Sequence, residues 1–408
     1  MRIFLGVSVV LLALTCVSAA QVVPSAQTGG ASLSYVLHYA QSAATGESLG
    51  TWQTISPSAS LKYISASERR PLSLEFSGGY NAVINGPTYN VGFFDRLLLS
   101  QTFISSKNQI TLNDDVSYRP QAPITGFSGI AGSGESIGGS GSNSSPSSQT
   151  IFTLNAHVVD NSVGGSITHI VNHALSFSGS ANSYLMRFPD GNGINIDGQM
   201  ANATITRRID ARNSVPFQYG YARYTYQGYS YSFNTNSLQA GYTRLWNRAL
   251  STTATAGYEW IDSTLSRSSS SQSMLTAQAN LSYKMRVGTA AANYTRGTSG
   301  GSGYFLGAKS DTAGASFSKP FVRGRITLGL DGGYRRQTEL SSNHVIDGEY
   351  GAVQANVKCG RYLSVFANYT GFSQNANTTL PSNVQTRLLS NTSFGFTYSR
   401  GADNFSAH

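Results

Sequence analysis

The amino-acid sequence predicts an all-β chain that folds as a transmembrane, antiparallel, up-and-down β-barrel. Segments of about ten residues alternate between apolar and polar side chains. Tyrosines recur about every 35 to 40 residues along most of the chain. Only 12% of the residues are Asp, Glu, Lys or Arg, about half the share that is typical of a soluble domain.

The composition excludes several other classes of protein. The 408 residues include 43 Gly, 23 Tyr and 19 Phe, whereas a disordered chain would be poor in aromatic residues. Two cysteines are too few for a disulfide-stapled domain. A helical membrane protein would need repeated apolar runs of about 18 residues, and after the first twenty residues the sequence contains none.

The N-terminus has the pattern of a cleaved signal peptide over residues 1–20. Arg2 supplies a positive charge, residues 3–17 are apolar, and the small residues Ser18, Ala19 and Ala20 precede a predicted cleavage site. A lipoprotein anchored at Cys16 is an alternative with a poor consensus. After cleavage only Cys359 remains, so no internal disulfide can form. Residues 21–30 then form a short N-terminal segment.

The alternating segments each have one apolar and one polar face. In residues 250–260, Leu250 and Tyr258 share a face, while Thr253 and Glu259 share the other. Residues 72–80, 275–284 and 326–335 follow the same pattern. In a barrel the polar faces line the lumen, and the charged residues predicted there are Glu75, Glu259, Lys284, Asp331 and Arg335.

Three features favour a membrane barrel over an exported soluble β-sandwich, which remains the alternative. The apolar faces contain much Ala, Thr and Gly, whereas a sandwich core needs larger aliphatic residues. Short and long connections alternate, as in outer-membrane barrels with short periplasmic turns and long outer loops. Tyrosines end the second strand of each repeat, as an interfacial aromatic girdle requires. The predicted girdle residues are Tyr80, Tyr118, Tyr184, Tyr258, Tyr294, Tyr334 and Tyr369.

The repeats predict 18 strands within a barrel over residues 31–400. Eight short-turn hairpins lie between a first strand at 31–39 and a last strand at 391–400. Residues 151–158 also alternate, so the range is 16 to 18 strands. Residues 119–150 form a long Gly/Ser-rich loop that either constricts the lumen or stays mobile on the surface. Residues 401–408 form a C-terminal extension.

Basic residues concentrate beside the short turns, which predicts a cationic periplasmic rim. The rim candidates are Arg207, Arg208, Arg248, Arg286, Arg323, Arg325 and Arg361. One interpretation is interfacial anchoring, with the charged heads on lipid phosphates. The other is a docking surface for an anionic periplasmic partner, such as a polysaccharide.

The sequence predicts no enzyme, no cofactor and no metal site. The six histidines lack metal-ligand spacing. Residues 297–301 match a nucleophile elbow formally but lack its strand-to-helix context. Asp114 joins an apolar row, which places it close to a rim or marks a misread register. No nucleic-acid partner is expected, because the positive charge forms no stripe. An outer-membrane hydrolase is a remote alternative.

The turn and strand sequences resemble those of bacterial outer-membrane β-barrels. They are most similar to uncharacterised porin-like barrels associated with exopolysaccharide export. The resemblance rests on Asn247-Arg248-Ala249-Leu250, Arg323-Gly324-Arg325-Ile326 and Gly360-Arg361-Tyr362-Leu363. It implies outer-membrane lipid and the barrel-assembly machinery as partners. The chain departs from these barrels at its end, where Phe405 is followed by Ser406, Ala407 and His408 instead of closing the sequence.

These expectations lead to two functional hypotheses. The first is an outer-membrane channel that passes small hydrophilic solutes or contributes to polysaccharide export. The second is a structural or surface-display barrel whose lumen is blocked.

Overall fold

A computed structural model describes most of the chain. The described residues are 30–45, 50–65, 67–86, 92–121, 156–265, 268–285, 288–301, 305–342, 344–376 and 387–401. The predicted signal peptide (1–20), nearly all of the segment 21–30, the extension after residue 401 and most of the predicted loop at 119–150 lie outside them.

Eighteen β-strands make up the described chain, numbered here in chain order. They are β1 (Gly30–Thr45), β2 (Gly50–Ile64), β3 (Leu72–Asn85), β4 (Gly92–Ile104), β5 (Asn108–Gln121), β6 (Ala156–Asn172), β7 (Leu175–Arg187), β8 (Ile196–Arg208), β9 (Asn213–Tyr226), β10 (Tyr231–Leu245), β11 (Leu250–Leu265), β12 (Ser268–Met285), β13 (Gly288–Ser299), β14 (Ala308–Phe321), β15 (Ile326–Glu339), β16 (Val345–Lys358), β17 (Leu363–Ala376) and β18 (Arg387–Gly401). The only described helical segment is a single 3-10 turn, Val322–Gly324. In the described part of the chain, no helix is both long enough and apolar enough to cross a membrane.

The strands form one closed antiparallel barrel. Each strand pairs with its neighbours in the chain, and β1 pairs with both β2 and β18. At the seam Ser32 lies opposite Gly401, and Thr45 lies opposite Leu388. Closure gives every strand of the described barrel a hydrogen-bonded neighbour on each side, so the sheet has no free edge strand. The predicted fold class and the count of 18 strands are confirmed.

Both ends of the described chain lie at the same end of the barrel as eight short connections. These connections are residues 65–71, 105–107, 173–174, 209–212, 246–249, 286–287, 322–325 and 359–362, and together they are called the short-turn rim. The connections at the opposite rim range from residues 266–267 to residues 122–155. Because β5 runs to Gln121, the predicted loop begins later than residue 119.

The strands continue beyond the tyrosines that were predicted to end them. Tyr334 lies inside β15, which runs on to Glu339, and Tyr369 lies inside β17, which runs on to Ala376. The prediction that each tyrosine ends its strand was wrong. Antiparallel pairing satisfies the backbone hydrogen bonds both within the lipid layer and outside it. The strands can therefore extend past the level of the aromatic residues.

Side chains alternate between the outside and the inside of the wall. On β15, Leu330 is 51% exposed and faces outward, whereas Arg335 and Gln337 point inward and are buried. The same alternation separates exposed Tyr258 from buried Glu259 on β11. On β11 and β15, the side chains predicted to point outward and inward therefore do so in the structure.

One cluster of buried apolar side chains lies inside the barrel toward the opposite rim, not between two sheets. Its members come from strands β6 to β12, from β14 and β16, and from the connections before β8 and β14. The cluster contains Val158, Tyr184, Met186, Phe188, Ile196, Tyr224, Tyr226, Tyr231, Phe233, Ile261, Met274, Phe305, Ala308 and Ile346. We call this group the inner aromatic cluster.

Candidate functional site

The five charged residues predicted to line the lumen all occupy inward positions on their strands. Glu75 lies two residues before buried Ser77 on β3, and Glu259 lies two residues before buried Ile261 on β11, so each points to the same side of the wall as its buried neighbour. Lys284 is exposed at the short-turn end of β12, and it has the parity of buried Thr276. Asp331 and Arg335 point inward from β15.

Two ion pairs bridge neighbouring strands on the inner wall. Lys62 on β2 lies 3.1 Å from Glu75 on β3. Arg96 on β4 donates two hydrogen bonds of 2.8 Å to the two carboxylate oxygens of Asp115 on β5. The bidentate geometry is the stronger of the two, because charge and planar fit act together. Both pairs neutralise charge that would otherwise face the lumen.

Sequence reasoning missed Lys62, Arg96 and Asp115 as lumen residues. The signal was present in β4, where Leu97 and Leu99 alternate with Arg96 on the opposite face. Asp331 was predicted, and its partner was not. The Tyr350 hydroxyl of β16 donates a hydrogen bond of 2.8 Å to the Asp331 carboxylate.

Glu259 on β11 holds the end of β13 against the inner wall. Its carboxylate accepts a hydrogen bond from the Thr298 amide at 3.2 Å and another from the Thr298 hydroxyl. Further along, the Tyr226 hydroxyl donates to the Gly300 carbonyl at 3.1 Å. The end of β13 is therefore tied to the inner wall, and the chain that follows it continues inward.

The described residues of that segment, 298–301 and 305–307, which we call the inward segment, pack into the inner aromatic cluster. Phe305 is 2% exposed, and its amide donates to the Gly301 carbonyl at 3.1 Å. Gly301 has a φ of +87°, and a side chain there would start 2.1 Å from the Phe305 carbonyl oxygen. The glycine is thus required by both backbone conformation and space. The inward segment narrows the lumen at the opposite rim.

The formal nucleophile-elbow match at residues 297–301 falls at the start of this segment. Ser299 is the last residue of β13, and its hydroxyl accepts a hydrogen bond of 3.2 Å from the Gln337 side chain. No group of three His, Cys, Asp or Glu that could hold a metal occurs among the residues that the structure describes.

The predicted cationic rim residues lie at or beside the short-turn rim. Arg207, Arg208, Arg248, Arg325 and Arg361 are exposed there. Arg323 belongs to the Val322–Gly324 turn, and Arg286 lies outside the described residues. Arg208 braces its own turn by donating to the backbone carbonyls of Asp210 and Ala211 at 3.0 and 3.3 Å.

Asp210, an acidic residue at this rim, is engaged within its own turn. Hydrogen bonds from the Asn213 side chain and from the Arg212 amide lower the pKa of the Asp210 carboxyl below its usual value. At the opposite rim, hydrogen bonds from His157 lower the pKa of the Asp190 carboxyl in the same way. Asp210 therefore stays ionised at neutral pH and closes its own turn.

Six of the seven predicted girdle tyrosines point outward, and one does not. The outward residues are Tyr80, Tyr118, Tyr258, Tyr294, Tyr334 and Tyr369. Tyr184 is 3% exposed and belongs to the inner aromatic cluster, so its prediction was wrong. Phe177 faces outward from the same strand, β7, and Tyr184 follows it by an odd number of residues, so the two side chains point to opposite faces. The spacing of tyrosines between repeats does not show which face of its own strand each tyrosine occupies.

Asp114 lies on the outward face, in the apolar row that its register predicts. Exposed Ile110 and Leu112 precede it on the same face of β5. Its carboxylate accepts a hydrogen bond of 3.1 Å from the Asn161 side chain on β6. A neighbouring amide thus supplies one partner for a carboxylate that faces away from the lumen.

Comparison with known proteins yields structural similarity only. No family model matches the chain, and no curated protein matches it in sequence. OccK2 (OpdF) of Pseudomonas aeruginosa aligns with a TM-score of 0.48 and 12% identity over 91% of this chain and 98% of that one. OccAB3 of Acinetobacter baumannii aligns with a TM-score of 0.47 and 9% identity over 91% and 99%. The outer membrane protein OpdK of Pseudomonas aeruginosa gives 0.45 and 10% over 90% and 99%.

Proposed function

We propose that the chain is an outer-membrane channel for small hydrophilic solutes. The observation that carries the proposal is the closed 18-stranded barrel, whose outer face is apolar and whose inner face is polar outside the inner aromatic cluster. A barrel of 16 to 18 strands encloses a lumen wide enough for water. The inner wall offers hydroxyls, amides and paired charges, which suit polar solutes and set no strong preference for one sign of charge.

The proposed orientation places the short-turn rim in the periplasm. Both ends of the described chain lie at that rim, as they do in bacterial barrels with periplasmic termini. The predicted signal peptide over residues 1–20 would deliver the chain across the inner membrane before cleavage.

Single-channel recording in planar bilayers tests the channel directly. Refolded full-length mature protein should give stable, discrete conductance steps, and uncharged solutes small enough to enter should reduce the step size. A folded protein that leaves the bilayer sealed would instead support a structural or surface-display barrel. Heat-dependent gel mobility serves as the control for correct folding.

A contribution to polysaccharide export is the second candidate. The observation that favours it is a set of cations at inward positions near the short-turn end of the lumen, namely Arg208, Lys284 and Lys358. These side chains would meet an anionic chain as it enters from the periplasm. Replacing all three with Gln should weaken binding of soluble polygalacturonate to the purified barrel. Unchanged binding would remove the support for this candidate.

A further inference from the structure

Three cations beside the short-turn rim lie over aromatic rings. The Arg244 guanidinium carbon is 4.0 Å from the Trp246 ring centroid. Lys319 Nζ is 4.7 Å from the centroid of Phe321, and the Arg361 guanidinium carbon is 5.2 Å from that of Tyr362. Cations within about 6 Å of a ring face are attracted to it, so each cation is held close to the barrel wall.

The aromatic partners belong to the outer surface of the barrel, not to the lumen. The Trp246 indole donates a hydrogen bond of 2.9 Å to the hydroxyl of Thr252, which faces outward from β11 beside Ala254 and Tyr258. The Tyr362 ring packs 6.2 Å from that of Tyr398, on the outward face of β18. The three cations therefore sit on the outer circumference of the wall.

No carboxylate of the described chain pairs with these cations. The ion pairs that the structure contains, such as Lys62–Glu75 and Arg187–Asp197, lie elsewhere and do not include Arg244, Lys319 or Arg361. Glu68 and Asp210 are the acidic residues of the described short turns, and Asp210 is engaged within its own turn. The described part of the chain therefore supplies no counter-charge for these three cations.

We propose that this outer circumference binds the headgroups of anionic phospholipids in the leaflet at the short-turn side. Tyr and Trp at the level of the headgroups, with adjacent Lys and Arg, form the usual interfacial anchor of membrane proteins. Each basic residue close to an anionic membrane surface strengthens binding by about 1 kcal/mol, which is about fivefold. The outward facing favours lipid, because a polymer that leaves through the lumen would meet the inward cations instead.

Lipid retention by the full mature chain tests this proposal without relying on channel activity. The test variant carries Arg244→Gln, Lys319→Gln and Arg361→Gln. The matched control carries Arg223→Gln, Lys309→Gln and Arg336→Gln, which removes the same number of outward-facing charges from the half of the wall near the opposite rim. Both are reconstituted in phosphatidylcholine vesicles with and without phosphatidylglycerol, extracted with detergent, and examined for bound lipid by native mass spectrometry.

The test variant should retain phosphatidylglycerol at least fivefold more weakly than the parent, with phosphatidylcholine unchanged, while the control keeps most of its phosphatidylglycerol. Equal loss in both variants would assign the effect to net charge and overturn the proposal. Unchanged retention in the test variant would overturn it as well. If only soluble polygalacturonate binding falls, the rim belongs to a polysaccharide. Should the triple variant fail to fold, Arg361→Gln alone, in an exposed turn, should still weaken phosphatidylglycerol retention about fivefold, the share of one cation.

Discussion

Leu330 and Thr327 lie on the same strand, β15, and point to opposite sides of the barrel wall. Leu330 is 51% exposed on the outer face, and Thr327 points inward, like Arg335. Leu330→Arg should lower the free energy of unfolding by about 2 kcal/mol, because a cation would be placed in the hydrocarbon layer. Urea-induced unfolding in phospholipid vesicles measures this change.

Thr327→Arg is the matched control, since it adds the same side chain to the water-facing side of the same strand. Its effect on the free energy of unfolding should be within about 1 kcal/mol. A tolerated Leu330→Arg together with a damaging Thr327→Arg would mean that the two faces are interchanged.

At the scale of single residues, the sequence predicted which face of a strand a side chain occupies. It did not predict which distant residues that side chain contacts. Alternation placed Glu259 and Arg335 on the inner wall, because the strand period is two. It could not find that Thr298 donates to Glu259, since those residues are far apart in the chain. Tyr184 was predicted on the outer face and lies inside the barrel, because the spacing of tyrosines between repeats does not show which face of its own strand each tyrosine occupies.

At the scale of elements, the inward segment depends on one carboxylate. Glu259→Gln should weaken its attachment to Thr298, because hydrogen bonds to a charged acceptor are roughly twice as strong as neutral ones. The inward segment should then leave the lumen more often, which would raise the mean conductance of the open channel and its current noise. Single-channel recording at fixed salt measures both quantities.

Glu349→Gln provides the control, because Glu349 is an exposed glutamate on the outward face of β16. Its conductance should equal that of the parent. If both variants behave alike, the carboxylate of Glu259 does not hold the inward segment.

The strands were predictable as elements, and the inward segment was not. Each strand repeats its pattern over many residues, so alternation survives a few exceptions such as Asp114. The inward segment is short and rich in glycine, and its composition is that of a surface loop. The one available signal was Phe305 beside Leu306, an apolar pair with no place on an exposed loop.

At the scale of the whole molecule, closure rests on the pairing of β1 with β18. Val36 and Thr397 lie directly opposite each other on the inner face of the seam. In a Cys359→Ser background, a Val36→Cys, Thr397→Cys pair should form a disulfide on mild oxidation, because directly opposed Cα atoms of antiparallel strands lie about 4.5–5.5 Å apart, a separation that a disulfide spans. Non-reducing gel electrophoresis of the folded protein detects the cross-link.

Two further pairs calibrate that measurement. Val36→Cys with Ser58→Cys joins β1 to β2 and should cross-link equally well. Val36→Cys with Thr235→Cys joins β1 to β10, across the barrel, and should not. Cross-linking at β1–β2 without cross-linking at β1–β18 would indicate an open sheet.

The strand count followed from the sequence because the short turns are regular and the two unpaired end strands complete an even number. The contacts between side chains inside the barrel were less predictable from the sequence. Which side chains meet across the lumen depends on how far neighbouring strands are staggered, and the hydrophobic pattern of a single strand carries no record of that stagger.

The seam also sets the order in which the barrel can be made. Ser32 and Gly401 are partners, yet nearly the whole chain is synthesised between them. At equilibrium this separation costs little, because the entropy of closing a loop grows only with the logarithm of its length. During folding this separation matters more, because contacts between distant parts of a chain form late. Until β18 arrives, β1 exposes a full row of unpaired amides and carbonyls that would pair with any other strand. Something must shield that first edge throughout export.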